Sequence, residues 1–451
     1  MSPLRLRVTP TGQALRGRVQ VPADKSIAHR AFLLAALATG VSEVRASRVG
    51  EDVRRTIDVL RALGVGIESA EDGSYRVRGV GLFGLRRPEA ALDVGESGTT
   101  ARLMLGLLSA QEFPWELTGQ GSLLGRPMGR VCVPLASRGA RLPNDTSVQL
   151  PLRSTGMPEG EPLGLLHYAM PVASAQVKGA LLLSGLYAHG NTVLREPVVS
   201  RDHTERMMCA LGIPVRGLGD TLALEPGGWS GKLSDFKMAT PADASSAFAL
   251  LAASLMVPGS AVEIADVCIN PTRTGALDLL RAAGVMPVVE PHGEALGEPF
   301  GDVGVMGVPG FGGFAIRGEL LVRAIDEVPV LLALAAKANG VTRLSDAAEL
   351  RLKESDRIAR MAEVLRAFGV EVQDDTNGLQ VQGRAGLLRA ARVNAHGDHR
   401  IAMAATLLAL AADGPSQIDG AEALRKSYPG FVSALTSLGA TITLDQVSDS
   451  S

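Results

Sequence analysis

The residues best placed for chemistry are cations at the starts of predicted helices: Lys25, Arg30, Arg102, Arg126, Arg130, Arg201, Arg273, Lys353, Arg357, Arg400 and Lys426. Helix N-termini already present unpaired N–H groups and the positive end of the macrodipole, so a cation there works against the helix. Repeated use of that unfavourable placement points to bound anions, and several such helix starts around one cleft make a multi-anion site. Three carboxylates lie among the cations: Asp326, Glu354 and Asp398. Beside positive charge a carboxylate stays ionised, able to take a proton from a substrate hydroxyl or to hold a cation in place. Asp326 also suits an N-cap, as Asp24 and Asp243 do, and Glu354 suits the first turn of a helix. His203 and His399 read as structural hydrogen-bond donors. The chain has only seven lysines, and three of them (Lys25, Lys353 and Lys426) fall at these helix starts. Lysine can be tuned for proton transfer, whereas arginine stays charged.

Other chemistries leave no trace. There is no GxxxxGK[ST] loop for nucleotide phosphates, and the GxGxxG match at residues 79–84 runs into Pro88 where a helix should follow. No HExxH, paired-cysteine or clustered-histidine pattern suggests a metal, and no GxSxG elbow suggests a serine nucleophile. Neither a cofactor nor a metal is expected. Cys132, Cys209 and Cys268 stand far apart and read as buried structural thiols in a reducing compartment.

The elements that must carry these groups recur. A segment with a small or polar start and about a dozen apolar residues begins at Asp24, Glu96, Ser174, Asp243, Asp326 and Asp398, at intervals of 69 to 83 residues. An amphipathic segment leading into a Gly turn alternates with it, starting near Glu51, Arg126, Arg201, Asn270, Lys353 and Lys426. Each unit reads as one buried helix, one half-exposed helix and several short strands. Six α/β units grouped three and three predict two similar domains, and VPADKS (21–26) resembling TPADAS (240–245) puts the crossings near residues 22 and 241. The Gly-rich stretch 293–314 reads as loop and short strand.

Composition agrees with a folded α/β protein. Over 451 residues, 46% are hydrophobic and 20% charged, and the formal net charge is −2. No basic field suggests nucleic acid, no apolar run reaches the roughly 20 residues that span a bilayer, and no leader pattern opens the chain. A cytoplasmic protein is expected.

The motifs DKSIAHR (24–30), SGTTAR (97–102), RPMGR (126–130), SAQVK (174–178), RDHTE (201–205), NPTR (270–273), LKESDR (352–357) and GDHRIAM (397–403) together resemble the 5-enolpyruvylshikimate-3-phosphate synthases, in particular their class II branch. The likeness spans about residues 10–440. It implies the enolpyruvyl transferase fold: two similar domains, each of three βαβαββ units in a pseudo-threefold arrangement. Domain I would take residues 1–22 plus 242–451 and domain II residues 23–241, with the active site in the cleft between them.

The reaction implied is transfer of the enolpyruvyl group of phosphoenolpyruvate to the 5-hydroxyl of shikimate 3-phosphate, releasing phosphate, on the route to chorismate and aromatic amino acids. By motif match, shikimate 3-phosphate would meet Lys25, Ser26, Arg30, Ser174, Ala175, Gln176, Arg201, Asp326 and Lys353. Phosphoenolpyruvate would meet Lys25, Gly98, Arg126, Gln176, Arg357, Arg400 and Lys426. Asp326 would be the base, and Glu354 with Lys25 the acid. The expected partners are these two small molecules, with no nucleic acid or membrane, and the expected state is a monomer. Two departures matter. Glu96 stands where the family has Asn, and Gly98 rather than Ala occupies the position that narrows the glyphosate space, which predicts glyphosate sensitivity. The UDP-N-acetylglucosamine enolpyruvyl transferases share the fold but carry a loop Cys and a Lys-Asn pair, whereas this chain has Lys25-Ser26. RNA 3′-phosphate cyclases share related units but use ATP and a His nucleophile.

Overall fold

A computed structural model describes residues 3–10 and 12–446. Residues 1, 2, 11 and 447–451, which the sequence boundaries place in domain I, lie outside them. The helices in chain order are α1 (Lys25–Leu37), α2 (Glu51–Ala62), α3 (Gly98–Leu108), α4 (Gly129–Ser137), α5 (Ala175–Gly185), α6 (His203–Ala210), α7 (Ala244–Met256), α8 (Gly275–Ala282), α9 (Gly318–Arg323), α10 (Val328–Ala335), α11 (Arg357–Ala367), α12 (His399–Leu410) and α13 (Phe431–Ser437).

The predicted alternation of helices is present. α1, α3, α5, α7, α10 and α12 are buried almost around their whole circumference, whereas α2, α4, α6, α8, α11 and α13 bury one face. All of the buried helices but α10 start at side-chain caps: Asp24 accepts from Ile27 N–H, Ser97 from Thr100, Ser174 from Val177, Asp243 from Ser246 and Asp398 from Arg400. The half-exposed helices share one exit. Each is followed by a left-handed Gly (Gly64, Gly139, Gly212, Gly284, Gly369 or Gly439). The next N–H then reaches back to a helix carbonyl, as Val65 does to Leu60 at 3.0 Å and Val370 to Leu365 at 3.0 Å. This double bond pattern satisfies terminal carbonyls and needs a residue without a Cβ at the turn.

Two compact units result. One takes the chain up to Pro22, then Pro241–Gly293 and everything from Pro299; the other takes Ala23–Thr240 and Glu294–Glu298. In the second unit α1, α3 and α5 form the centre, enclosed by three small sheets. The sheet Leu166–Ala169, Thr192–Arg195, Thr221–Leu224, Val215–Leu218 shows the βαβαββ plan: the first two strands run parallel across α5, and the hairpin after α6 adds the antiparallel pair. The first unit repeats this around α7, α10 and α12. There the strand Leu4–Thr9 pairs antiparallel with both Ser416–Asp419 and Thr441–Gln446.

One expectation fails. Residues 293–314 are not mainly loop: Val288–Ala295 and Glu298–Met306 are eight- and nine-residue strands of one sheet. The glycines that suggested loop permit close approach instead, since a Cβ on Gly301 would lie 2.2 Å from the Glu290 carbonyl oxygen. No helix among the described residues is long and apolar enough to cross a membrane.

Candidate active site

In the second unit the candidate groups gather at the starts of α1, α3 and α5. Lys25 opens α1 and pairs with Asp52 at 3.1 Å. Arg30, one turn further on and 4% exposed, donates to the Ser26 carbonyl at 2.8 Å, the Ala175 carbonyl at 3.1 Å and Thr204 Oγ1 at 2.6 Å. Burial, with Arg201 nearby, lowers its guanidinium to about 10 against the pull of Glu205, Glu298 and Asp24. Arg30 therefore ties α1 to the start of α5, where Ser174 caps and Gln176 projects. Gln176 accepts from Arg102 at 2.7 Å and donates to Thr99 Oγ1 at 3.0 Å, which ties α5 to α3.

Gly98 is the first residue of α3. A Cβ there would lie 2.9 Å from Arg102 Nη1 and 3.3 Å from Arg126 Nη1. Arg126 precedes α4 and donates to Ser122 at 3.2 Å. Glu96 turns toward Gly121, whose added Cβ would meet its carboxyl carbon at 2.8 Å. Arg201 lies just ahead of α6, which the buried Lys178 braces: its ammonium meets Glu196 at 2.7 Å, Glu205 at 2.8 Å and the Ser200 carbonyl at 3.2 Å.

In the first unit the groups gather around Arg357, whose side chain is 2% exposed. Its Nε donates to Asp398 at 2.9 Å and its Nη2 to Glu354 at 2.5 Å, and its Nη1 lies 3.5 Å from Asp326. Burial opposes the charge, but Asp398, Glu354 and Asp326 outweigh it and hold the guanidinium well above its ordinary value. Asp398, the cap of α12, also receives Ser355 Oγ at 3.0 Å. Burial pushes its carboxyl up, and Arg357 more than reverses that, leaving it below the ordinary carboxylate value. The half-buried Lys353 is pushed down by burial and by Arg357, with Asp326 pulling back. Arg400 is 4% exposed, with Nε lacking a hydrogen-bond partner among the described residues. Lys426 reaches the Gly397 carbonyl at 3.3 Å, beside the start of α12.

Neither alternative reading of the carboxylates describes what is seen. Asp326 lies one residue ahead of the N-cap position of α10, held by Glu327. Glu354 lies outside α11, whose cap is Asp356. Arg273, grouped by sequence with the anion-facing cations, is 3% exposed and turned toward Ser245, Asp326 and Glu327. Sequence reasoning passed over Asp52, Ser245 and Glu327. A reversed-charge pair 27 residues apart (Lys25 and Asp52) has no sequence signature. Cys132 and Cys268 are buried, and burial pushes the Cys132 thiol up to about 12, but Cys209 is exposed. Asp266, His292 and Asp302 bring ligand atoms within 4.8 Å of one another. They are partnered as they stand, His292 Nδ1 lying 3.1 Å from Asp266 and Arg18 bonding Asp302.

Two sets of cations with carboxylates among them suit polyanionic substrates that exchange protons. Comparisons with known proteins point the same way. Residues 9–435 match the family described as EPSP synthase (3-phosphoshikimate 1-carboxyvinyltransferase). A 3-phosphoshikimate 1-carboxyvinyltransferase of Halorhodospira halophila is 48% identical over 439 residues, covering 97% of each chain. One of Alkalilimnicola ehrlichii is 45% identical over 440 residues, covering 98% of this chain and 97% of its own. Among solved structures, an EPSP synthase of Acinetobacter baumannii superposes with a TM-score of 0.87 at 37% identity, over 98% of this chain and 100% of its own. The enolpyruvyl transferase NikO of Streptomyces tendae, at 18% identity and a TM-score of 0.74 over 99% of this chain and 100% of its own, shares the fold.

Proposed function

Because this chain belongs to the EPSP synthase (3-phosphoshikimate 1-carboxyvinyltransferase) family, we propose that it transfers the enolpyruvyl group of phosphoenolpyruvate to the 5-hydroxyl of shikimate 3-phosphate. It works as a cytoplasmic monomer, with groups from domain I (1–22 and 242–451) and domain II (23–241) acting on the same substrate pair in a cleft. Lys25, Ser26, Arg30, Ser174, Ala175, Gln176, Arg201, Asp326 and Lys353 hold shikimate 3-phosphate. Lys25, Gly98, Arg126, Gln176, Arg357, Arg400 and Lys426 hold phosphoenolpyruvate, whose carboxylate and phosphate both suit planar guanidinium groups.

The observation that carries the proton chemistry is the sharing of Arg357 between Glu354 at 2.5 Å and Asp326 at 3.5 Å. The shared cation fixes the two carboxylates relative to each other, as paired proton carriers must be; Asp326 starts ionised as the base, and Glu354 carries the proton that the methylene carbon receives. Asp326 takes the proton of the 5-hydroxyl as its oxygen bonds to C2 of phosphoenolpyruvate. Glu354, assisted by Lys25, delivers a proton to the methylene carbon and makes it a methyl group. In the second half Glu354 takes a proton back from that methyl, the C2–O bond to phosphate breaks, and phosphate leaves with the bonding pair and with the proton that Asp326 had accepted. No metal or cofactor is called on.

Phosphate release from phosphoenolpyruvate tests the reading. Release should require shikimate 3-phosphate, persist in EDTA and fail with UDP-N-acetylglucosamine. Release driven by the nucleotide sugar, or none with shikimate 3-phosphate, overturns it. The Glu354 role has its own test: folded Glu354→Gln enzyme should incorporate solvent deuterium into the methylene group slowly, and wild-type incorporation removes Glu354 from the proton path.

A further inference from the structure

We propose that Arg273, locked by Ser245 and Glu327, is a positioning residue that orients the carboxylate of Asp326 and keeps it ionised. This rests on Asp326 being the base. The Arg273 side chain is 2% exposed. The groups around it form a chain leading to Asp326. Arg273 Nη2 donates to Ser245 Oγ at 3.0 Å, and Ser245 in turn donates to Glu327 Oε1. Glu327 Oε1 is 3.8 Å from Arg273 Nη2, so the guanidinium is held by a hydroxyl and an anion together. On its other side Arg273 Nη1 lies 4.0 Å from Asp326 Oδ2. Asp326 Oδ1 faces Arg357 Nη1 at 3.5 Å. Each oxygen of the base thus looks at a different buried guanidinium, and the Lys353 ammonium also acts on it.

The locking groups have little other reason to be where they are. Glu327 is 2% exposed and holds the N-cap position of α10 without a side-chain capping bond. Its Oε2 has no hydrogen-bond partner among the described residues. A buried carboxylate left partly unsatisfied is expensive, and such groups persist where they serve a site. Ser245 lies in the first turn of α7, so α7, the residues before α8 and the start of α10 all converge on one side chain. Beside Arg273 and Glu327 is a cavity of about 20 Å³, also lined by Phe248 and Cys268.

The consequence is a pH effect with a definite sign. A cation near a carboxylate favours its ionised form, so Arg273 keeps the acid limb of kcat/KM low. Arg273→Gln should move that limb to higher pH by about one unit and lower kcat by about 100-fold, with little change in either KM. Arg273→Lys, which keeps the charge without the fork, should restore the limb but only part of kcat. Ser245→Ala removes only the hydroxyl bridge and covers the case in which Arg273→Gln fails to fold; it should move the limb in the same direction by less. An unmoved limb in folded Arg273→Gln, or in Ser245→Ala where that variant stands in, overturns the positioning role. Asp326→Asn separates the two levels. Wild-type kcat/KM and acid limb in that variant overturn the base assignment itself. Loss of activity there together with an unmoved limb in the Arg273 and Ser245 variants overturns only the inference about Arg273.

Discussion

Asp398 joins two jobs that are usually separate. It caps α12 through the Arg400 N–H at 2.9 Å and accepts from Arg357 at 2.9 Å while fully buried. Removing one member of such a pair strands the other, so Asp398→Asn should cost about 3 kcal/mol near pH 7. Its folded value lies below the ordinary carboxylate value, so the stabilisation is present above the unfolded value of about 4 and is lost as pH falls through the lowered folded one. Urea midpoints of wild type and variant should therefore converge in acid, and a gap unchanged from pH 7 to pH 3 refutes the account. Gly98 supports a prediction of the opposite kind, about fit. A Cβ there lies 2.9 Å from Arg102 Nη1 and 3.3 Å from Arg126 Nη1, and these flexible tips can yield by a few tenths of an ångström. Gly98→Ala should leave the KM for phosphoenolpyruvate near wild type and weaken glyphosate by about tenfold, the equivalent of about 1.4 kcal/mol. Inhibition constants that rise only in step with KM remove Gly98 as the discriminating position.

Helices carry their site groups in register because buried hydroxyls join them. His29 Nδ1 lies 2.7 Å from Thr56 Oγ1, which lies 2.7 Å from Thr100 Oγ1, and Thr100 donates to Ser97 Oγ at 2.8 Å. One chain of polar atoms thus joins α1, α2 and α3, the first bearing Lys25 and Arg30 and the last starting at Gly98. Thr56→Val cuts the chain and should cost about 1–3 kcal/mol, the penalty of buried groups left unsatisfied. Burial, then Lys25 and Arg30, holds His29 well below its ordinary value. The neutral ring is what the fold accepts, so stability should fall as pH drops below about 6.5, where only the unfolded chain takes the proton. His29→Gln should flatten that slope in urea titrations between pH 7.5 and 5.5, and an unchanged slope assigns it elsewhere. These helices were readable from sequence because small polar starts, apolar runs and Gly stops all repeat. The hairpin of Val288–Ala295 and Glu298–Met306 was not, because glycines such as Gly301 are there for a neighbouring backbone rather than for flexibility. The six-residue α9 was equally silent, being too short to show a period.

Across the molecule, sequence located the cations and left their partners unknown. Spacing of 69 to 83 residues revealed the repeat, and motifs placed Lys25, Arg357 and Arg400 near helix starts. Nothing in sequence tells that Arg357 faces Asp398, 41 residues on, or that Arg273 turns inward to Glu327, because those pairings form only when separate units of the repeat pack together. A net charge of −2 likewise conceals the local excess of cations. On the proposed reading, ligand binding draws on cations of both units. Shikimate 3-phosphate at 100 times its dissociation constant should add about 2.7 kcal/mol to stability and raise the melting midpoint by a few degrees. Each compact unit has its own core, so a ligand held by one unit alone would leave a calorimetric component unmoved. Shared binding predicts that the whole transition shifts, and that Lys25→Met and Lys353→Met each remove most of the shift although they lie in different units. A component indifferent to the ligand, or a full shift surviving either substitution, would end the case that both lobes grip the same phosphorylated acceptor.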